Sequence, residues 1–534
     1  MWKKRLALLV AAGGAVLAMS FPALSTAAKG KPKALAKGDG RETCYGCHEE
    51  VKALKEGSKH AKLACDLCHQ KLKEHLGDSD VKPVTLIEQS LCGKCHKDVY
   101  ESFYKVNYES QARKEKGVPT GRSPMMDKLL APYGFTFEHN EPRGHAFMVI
   151  DQFAVDRFAG GRFQFKKRWS GVDSTGKVWD VLEDTGKTLP ETAKAGNPTC
   201  IQCKSSDHIL KWKYMGETDP KAKWDRTSDP IAVARDTQNA VGCIHCHDPH
   251  GAQPRIVRDA LIKAIDTDGA KMFAGNNGKT DLKVMDFRGF RKIGVMQKSD
   301  SRMMCAQCHV EYACGAGSQF DDGKKVGYDD RRTNHFPLTG PKDILEHYKK
   351  SQNFFDFRHA VTGARLVKLQ HPENETYFGS VHDKAGVKCN DCHMPVMKNR
   401  QGKTFTSHMV IKPKDHVKEA CLRCHSKYTV EKLSYQLQAI QNYTKGKMRK
   451  AEYWLGELID TYAEAKRFGV DETILVKARE KHEEAHVLWE WWTAENSDGF
   501  HNPDLARDTL TASISASKEA VALLNKAIEE KGKK

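Results

Sequence analysis

The pattern of apolar and polar positions predicts three long helices at the C-terminal end of the chain. Apolar residues recur at three- and four-residue spacing over residues 434–468, which is the period of one face of an α-helix. Two further helical stretches cover residues 472–495 and 503–531. Upstream, residues 162–181 are rich in aromatic residues and glycine, as in partly extended chain. We therefore predict a mainly α-helical protein with long C-terminal helices, much irregular loop and little β-structure.

The first 27 residues have the pattern of an export leader. Three basic residues at positions 3–5 precede an apolar run over residues 6–19, and the small residues Ser25 and Ala27 mark a cleavage site. An uncleaved membrane anchor is the alternative. No other apolar run approaches the roughly 18 residues that a membrane span requires. We expect a periplasmic protein with a signal peptide at 1–27 and no transmembrane span after its removal.

Composition then narrows the chemistry. The chain of 534 residues has a formal charge of +17, which is compatible with nucleic acid, an anionic surface or an acidic cofactor as its partner. It also contains 17 cysteines and 24 histidines, an excess that favours the cofactor. An acidic cofactor would offset much of the positive charge inside the molecule, so we expect no nucleic-acid partner. The modest hydrophobic fraction of 39% fits a core filled partly by cofactors.

The cysteines occur in pairs with two residues between them, and seven pairs are followed directly by histidine. This is the covalent haem c motif: two thiols attach one porphyrin, and the histidine becomes the proximal iron ligand. Zinc knuckles or redox-active pairs are alternatives, but neither requires histidine after every second cysteine. The motif residues are Cys44, Cys47 and His48; Cys65, Cys68 and His69; Cys92, Cys95 and His96; Cys243, Cys246 and His247; Cys305, Cys308 and His309; Cys389, Cys392 and His393; and Cys421, Cys424 and His425.

An eighth pair, Cys200 and Cys203, is followed by Lys204 instead. Lysine is a poor default iron ligand because its amine must first lose a proton. A stray disulfide motif is the alternative. Beside seven haem motifs, we predict an eighth haem c with Lys204 as its proximal ligand and an open face for substrate, as catalytic metal sites keep an open position.

The motifs divide the chain. Three lie within residues 44–96, the next five lie within 200–425, and none follows. We predict a three-haem domain at 28–105, a catalytic five-haem domain at 106–430 and a helical region at 431–534. The C-terminal helices would pack on the haems or on another subunit, with a plain helical bundle as the alternative.

Residues 141–501 resemble the pentahaem cytochrome c nitrite reductases, and the whole chain resembles an octahaem nitrite reductase. The resemblance is carried by PRGHAFMVID around Arg143, CIQCKS, CAQCHVEY ending at Tyr312, KLQHPE around His371, GSVHDKAGVKCNDCHMP, TSHMV around His408 and FHNP around His501. It implies the six-electron reduction of nitrite to ammonium, with hydroxylamine and sulfite as further substrates. The three additional N-terminal haems separate octahaem from pentahaem enzymes.

The resemblance implies a catalytic pocket formed by Lys204, Arg143, Tyr312 and His371. A guanidinium is permanently charged and favours an anion, and a histidine can hold or pass protons near neutral pH. Tyr312 offers a phenolic O–H to a bound oxygen. In octahaem relatives a cysteine at the position of Cys314 is joined by a thioether to the catalytic tyrosine, and a small buried thiol is the alternative.

The family also implies a calcium ion beside the active haem. Its ligands map to the side chain of Glu311, the carbonyl groups of Tyr312 and Lys368, and the side chain of Gln370. Oxygen ligands suit calcium, but one carboxylate makes a weak calcium motif by itself, so this prediction rests on the resemblance.

Seven histidine-ligated haems require seven distal histidines. The resemblance supplies His145, His382, His408 and His501. For the N-terminal haems, His60 and His75 are the first candidates because they lie close to CDLCH. For His482 and His486, one helical turn apart, a core or surface position is favoured over ligation. The remaining distal ligand is left open among His139, His245, His250, His335, His359 and His416.

Other functions stay open at this stage. A non-enzymatic electron carrier would not need a lysine-ligated haem. Hydroxylamine oxidoreductases resemble the architecture but usually have histidine at every motif, and octahaem tetrathionate reductases share the lysine-ligated haem. The expected partners are nitrite and related small nitrogen or sulfur oxyanions, an electron-donating quinol dehydrogenase or cytochrome, and further copies of the chain.

Overall fold

The computed structural model describes residues 40–105, 125–132, 145, 203–214, 239–268, 271–273, 280–287, 291–298, 300–313 and 335–532. The leader, Cys200, Arg143, His139 and Cys314 therefore lie outside the described residues, as does the stretch at 162–181.

Short helices joined by loops make up the described chain before residue 430. Their bounds are α1 Arg41–Tyr45, α2 Glu49–Lys55, α3 Leu72–Gly77, α4 Gln89–Gly93, α5 Lys97–Tyr100, α6 Met126–Leu129, α7 Ser206–His208, α8 Cys243–Cys246, α9 Asp259–Asp268, α10 Ser301–Cys305, α11 Ile344–Glu346, α12 Glu373–Tyr377, α13 Val381–Lys384, α14 Cys389–His393 and α15 Val417–Cys421. Single π-helical turns cover Glu101–Lys105, Ile209–Tyr214 and His347–Gln352, and 3₁₀ turns cover Cys65–Leu67 and Pro413–Asp415.

Three long helices follow, and they confirm the helices predicted from the apolar periodicity. They are α16 at Val430–Arg467, α17 at Glu472–Ala494 and α18 at Pro503–Gly532. The hydroxyl of Thr429 accepts the Lys432 N–H at 3.2 Å, and the Asp471 carboxylate accepts the Thr473 N–H at 2.8 Å. Such caps satisfy N–H groups that have no partner inside the helix, which is why α16 and α17 begin where they do.

The strands are short and all pair antiparallel. They are β1 His69–Gln70, β2 Val84–Thr85, β3 Arg255–Ile256, β4 Leu282–Phe287, β5 Arg291–Met296, β6 Phe357–Arg358, β7 Arg365–Leu366, β8 Val396–Lys398 and β9 Thr404–Thr406. The sheets have the orders β1-β2, β3-β5-β4, β6-β7 and β8-β9. The prediction of a mainly α-helical fold with little sheet is therefore confirmed for the described residues.

The main apolar core joins the three long helices to residues 344–369. Leu455 on α16, Trp489 on α17 and Leu510 on α18 are fully buried, and they belong to one cluster with Tyr348 and Leu366. The Trp492 indole N–H donates to the Thr509 hydroxyl at 2.8 Å, so this aromatic side chain is buried with its polar atom satisfied. Residues 344–376 therefore pack against the three long helices.

Hydrogen bonds connect the section before residue 106 with later ones. The His60 imidazole Nδ1 is 2.9 Å from the Pro249 carbonyl oxygen, and the Asn399 amide donates to Asp98 at 3.0 Å. The proposed domain limits at 105 and 430 stay predictions. Among the described helices, none combines the length and the apolar character needed to cross a membrane.

Replacing Leu510 with alanine should lower the free energy of unfolding by about 2–5 kcal/mol, because a fully buried leucine leaves a cavity among three helices. Thermal unfolding followed by circular dichroism measures the change. The matched control is Val476→Ala on α17, where the side chain is 37% exposed and the expected loss is under about 0.5 kcal/mol. Equal losses in the two variants would contradict the assignment of this core.

Candidate haem and substrate site

Each of the seven motif histidines faces a histidine from outside the motifs across a nearly constant distance. The ring centres are 6.1 to 6.5 Å apart in all seven pairs. Two metal–imidazole bonds of about 2 Å and the two ring radii add to roughly 6 Å, so each gap fits one iron atom. The pairs are His48 with His75, His69 with His250, His96 with His60, His247 with His408, His309 with His145, His393 with His501, and His425 with His382.

The partner histidines can be compared with the predictions. The four that the resemblance supplied, His145, His382, His408 and His501, all face a motif histidine, as do His60 and His75. Neither of the last two faces the CDLCH motif to which it lies close in sequence. That motif's His69 instead faces His250, one of the six histidines left open.

Close packing explains how His250 reaches His69, although the two are far apart in the sequence. A Cβ atom at Gly251 would lie 2.6 Å from the Leu54 carbonyl oxygen. A side chain there would force the loop away from α2, so the absence of one lets the His250 loop approach the N-terminal section closely.

The rings are held by their outer nitrogen atoms. The Nδ1 atoms of His75, His393 and His408 lie 2.9 to 3.0 Å from backbone carbonyl oxygens. Nδ1 of His69 is 2.9 Å from the Thr85 hydroxyl. Partners of this kind fix the tautomer and orientation of metal-binding imidazoles, and they direct the other nitrogen, Nε2, towards the facing ring.

Burial also keeps several of these imidazoles neutral. Desolvation, followed by the charge of neighbouring histidines, lowers the pKa of His145 to about 3 and the pKa values of His69 and His393 to about 4. A neutral imidazole is the form that binds a metal. The donor set, the spacing and the protonation state therefore all fit haem iron.

The motif that ends in Lys204 lies against the motif that ends in His309. The Cys308 Sγ is 3.6 Å from the Cys203 carbonyl oxygen, and the Cys203 Sγ is 3.7 Å from the Gln307 carbonyl oxygen. The half-buried Lys204 is next in the chain, and Ser205 caps the short α7 by accepting the Asp207 N–H at 3.1 Å. This contact sets Lys204 beside the motif that leads to Tyr312.

The structure brings two predicted pocket residues together. The rings of Tyr312 and His371 have centres 6.4 Å apart, and the ring centre of His371 is also 6.4 Å from that of His309. Tyr312 is 5% exposed and packs on Phe336 at 6.0 Å between ring centres. Of the other two predicted members, Lys204 lies half-buried in the adjacent motif, and Arg143 is outside the described residues, as is Cys314.

The four residues predicted to bind calcium also adjoin one another. Glu311 Oε2 accepts the Gln370 backbone N–H at 2.7 Å, and the Gln370 side-chain amide lies 2.9 Å from the Lys368 carbonyl oxygen. Desolvation raises the pKa of Glu311 to about 8. A buried carboxylate among carbonyl and amide oxygens suits a hard cation such as calcium, so these residues fit the ion.

Sequence reasoning missed three buried carboxylates around these rings. Glu373 Oε2 is 3.4 Å from His309 Nδ1, and Glu495 Oε1 is 2.6 Å from His501 Nδ1. Glu375 Oε1 accepts the Glu311 N–H at 3.1 Å. The glutamates at 373 and 375 directly follow the QHP motif, a signal that could have drawn attention to them. Glu495 carries no such signal.

A family model described as cytochrome c552 matches residues 88–167 and 174–534. The chain belongs to the cytochrome c552 family. It is therefore a haem c protein.

Two curated relatives agree with this assignment. The cytochrome c nitrite reductase subunit NrfA of Nitratidesulfovibrio vulgaris is 28% identical over 428 residues, which cover 76% of this chain and 69% of the relative. Cytochrome c-552 of Haemophilus ducreyi is 27% identical over 455 residues, which cover 80% and 75%.

A solved structure supports the same fold. The cytochrome c nitrite reductase of Desulfovibrio desulfuricans superposes with a TM-score of 0.57 at 24% identity, covering 83% of this chain and 86% of that one.

Replacing His250 with methionine should change one haem, because His250 is the ring that faces His69. We expect the charge-transfer absorption of a methionine-ligated ferric haem and a higher reduction potential for that centre. The matched control is His245→Gln, since His245 is buried in the same segment, with 5% exposure, and its Nδ1 accepts the Gly242 N–H at 3.3 Å. The pairing of His69 with His250 is wrong if both variants keep the parental spectrum and potentials.

Proposed function

We propose that the chain is an exported octahaem cytochrome c that reduces nitrite to ammonium at the haem of the Lys204 motif. The coarser part, an oxidoreductase of the cytochrome c nitrite reductase type, follows from the family and from both curated relatives. The observation that carries the finer part is the set of seven iron-sized histidine gaps beside one motif that ends in lysine.

Seven histidine pairs would use both axial positions of seven haems. Such haems transfer electrons and have no position for a substrate. Lys204 would hold the eighth haem, which would leave room for nitrite and would supply the electrons for its reduction. The division between seven carriers and one reaction site thus follows from which residue stands after each cysteine pair.

Contacts between motifs support a continuous route for electrons. Cys92 of one motif is a close neighbour of Cys243 of another, and Cys305 is likewise a close neighbour of Cys389. Because these residues would anchor different haems, such contacts bring porphyrin edges close together. The contact of Cys308 with Cys203 continues the route to the Lys204 motif. A quinol dehydrogenase or another cytochrome would supply the electrons.

The residues on the open face would handle anion and protons. Arg143 would attract nitrite with its permanent charge. His371 would hold a proton close to the substrate, and Tyr312 would donate its phenolic O–H to an oxygen of nitrite. In this proposal Cys314 forms a thioether with Tyr312 and immobilises the ring. Formation of ammonium from nitrite consumes protons as well as electrons. The enzyme would therefore require a hydrogen-bonding pocket in addition to the electron-transferring haems.

A calcium ion bound by Glu311, Tyr312, Lys368 and Gln370 would fix the two segments that carry Tyr312 and His371. The Desulfovibrio desulfuricans enzyme has two calcium sites in the structure of its catalytic subunit. In this chain the support comes from the buried, adjoining oxygen donors. We also propose a periplasmic location and assembly into a homo-oligomer.

The decisive experiment supplies the haem-loaded protein with a reduced dye and compares nitrite, hydroxylamine, sulfite and tetrathionate. Ammonium formed in equal amount to the nitrite consumed is the expected result, with slower turnover of hydroxylamine and sulfite. The haem content of the same sample should be eight irons per chain. Tetrathionate as the only substrate would favour a tetrathionate reductase, and no turnover of any of the four would favour an electron carrier.

Replacing Lys204 with histidine should preserve haem attachment but slow nitrite turnover, because the proximal ligand sets the electron density on the iron. Steady-state kinetics and the absorption spectrum measure the two effects. The control is Lys211→His, which alters another half-buried lysine of the same described segment. Unchanged kinetics in Lys204→His would exclude Lys204 as the proximal ligand.

A further inference from the structure

Helix α17 contacts the segment that carries His371 both before and after that residue. Before His371, Glu483 Oε1 accepts the Arg365 backbone N–H at 2.8 Å. After it, the Trp491 indole N–H donates to the Thr376 hydroxyl at 2.8 Å. Five residues, 366–370, connect Arg365 with His371, and Lys368, the third of them, makes a further contact with α17.

The third contact is a buried ion pair between Glu490 and Lys368. Glu490 Oε1 is 2.9 Å from Lys368 Nζ, and the side chains are 0% and 5% exposed. The second oxygen of Glu490 is 2.5 Å from Nε2 of His486, one turn earlier on α17. Both carboxylate oxygens are therefore engaged, and the carboxylate has a single defined orientation.

The Lys368 ammonium also donates to the Leu369 carbonyl oxygen at 2.9 Å. That carbonyl belongs to the same peptide group as the Gln370 N–H, which donates to Glu311 at 2.7 Å. One peptide plane is therefore held at its oxygen by a cation and at its N–H by an acidic side chain. His371 is the next residue, so the orientation of this peptide sets where its side chain starts.

We propose that Glu490 is a positioning residue for His371, acting through the ammonium of Lys368 and the peptide between Leu369 and Gln370. The proposal rests on the proposed function, because it assigns His371 to the substrate pocket. Removing one member of a buried ion pair leaves the other charge without a partner. Without Glu490, the Lys368 ammonium would move towards another acceptor and release the peptide, and His371 would lose its fixed approach to the substrate.

Glu490→Gln in the full-length, haem-loaded protein tests this role, since glutamine keeps the shape and removes the charge. We expect kcat/KM for nitrite to fall by about tenfold to 100-fold, the cost of misplacing a reacting group by a fraction of an ångström to an ångström. Most of the loss should be in kcat, because Arg143 would still attract the anion. Spectra of the seven histidine-ligated haems should stay unchanged, which a general loss of structure would not allow.

Lys368→Met removes the other charge and gives the same test if Glu490→Gln does not load its haems. In the double variant the losses should not add, because both act through one ion pair. The control is Glu519→Gln, which removes the surface pair with Lys481 on the same helical bundle and should leave the kinetics unchanged. Wild-type kcat/KM in Glu490→Gln, or additive losses in the double variant, would refute the positioning role.

The two proposals can fail separately. If the wild-type protein forms no ammonium from nitrite, the proposed function is wrong, whatever the variants do. If the wild type reduces nitrite and Glu490→Gln does so equally well, the proposed function stands and the role of Glu490 is wrong. Thermal unfolding of each variant shows whether a kinetic loss accompanies a loss of the folded state.

Discussion

The constraint on which the structure depends is a fixed separation between facing imidazole rings. Seven pairs keep their centres 6.1 to 6.5 Å apart, whereas two directly hydrogen-bonded histidines, His335 and His347, have centres only 5.1 Å apart. The wider separation corresponds to about 4 Å between two nitrogen atoms bound to one metal, whereas the hydrogen-bonded nitrogen atoms of His335 and His347 are 2.9 Å apart. Each pair brings two separate segments together, in addition to apolar clusters such as the one that contains Ile256, Leu261 and Phe336.

The long helices have a different task. They form a conventional apolar core with tryptophans and leucines, and residues 344–369 belong to that core. The segment with Tyr312 reaches the same region through Glu311, which accepts the Tyr348 hydroxyl at 2.8 Å. Both parts of the candidate pocket are thus anchored to the helical bundle. A reaction that needs a proton donor at a defined distance benefits from such a foundation.

Much of this organisation could be predicted from the sequence. Haem attachment is local, since two cysteines and the next residue specify it, and the helices α16 to α18 follow from a repeating apolar face. Distal partners are not local. His60 and His75 were predicted for the N-terminal haems as a group, and each faces an N-terminal motif other than the adjacent CDLCH. The partner of His69 comes from a loop nearly two hundred residues away, which a glycine allows to approach, and no spacing rule contains that information.

The same distinction applies to charge. Sequence favoured a core or surface position for His486, and the structure places it in the core, where it binds Glu490. The buried carboxylate of Glu490 matters for the groups that it orients rather than for the stability that it adds. A carboxylate with 0% exposure costs free energy to desolvate and contributes little net stability even when paired. Its geometry, however, is unusually well defined, since His486 and Lys368 take one oxygen each. Two such carboxylates, Glu490 and Glu311, act from opposite sides of the peptide that precedes His371. A chain that must deliver many protons and electrons to one small anion gains more from that fixed orientation than from an equally stable apolar contact.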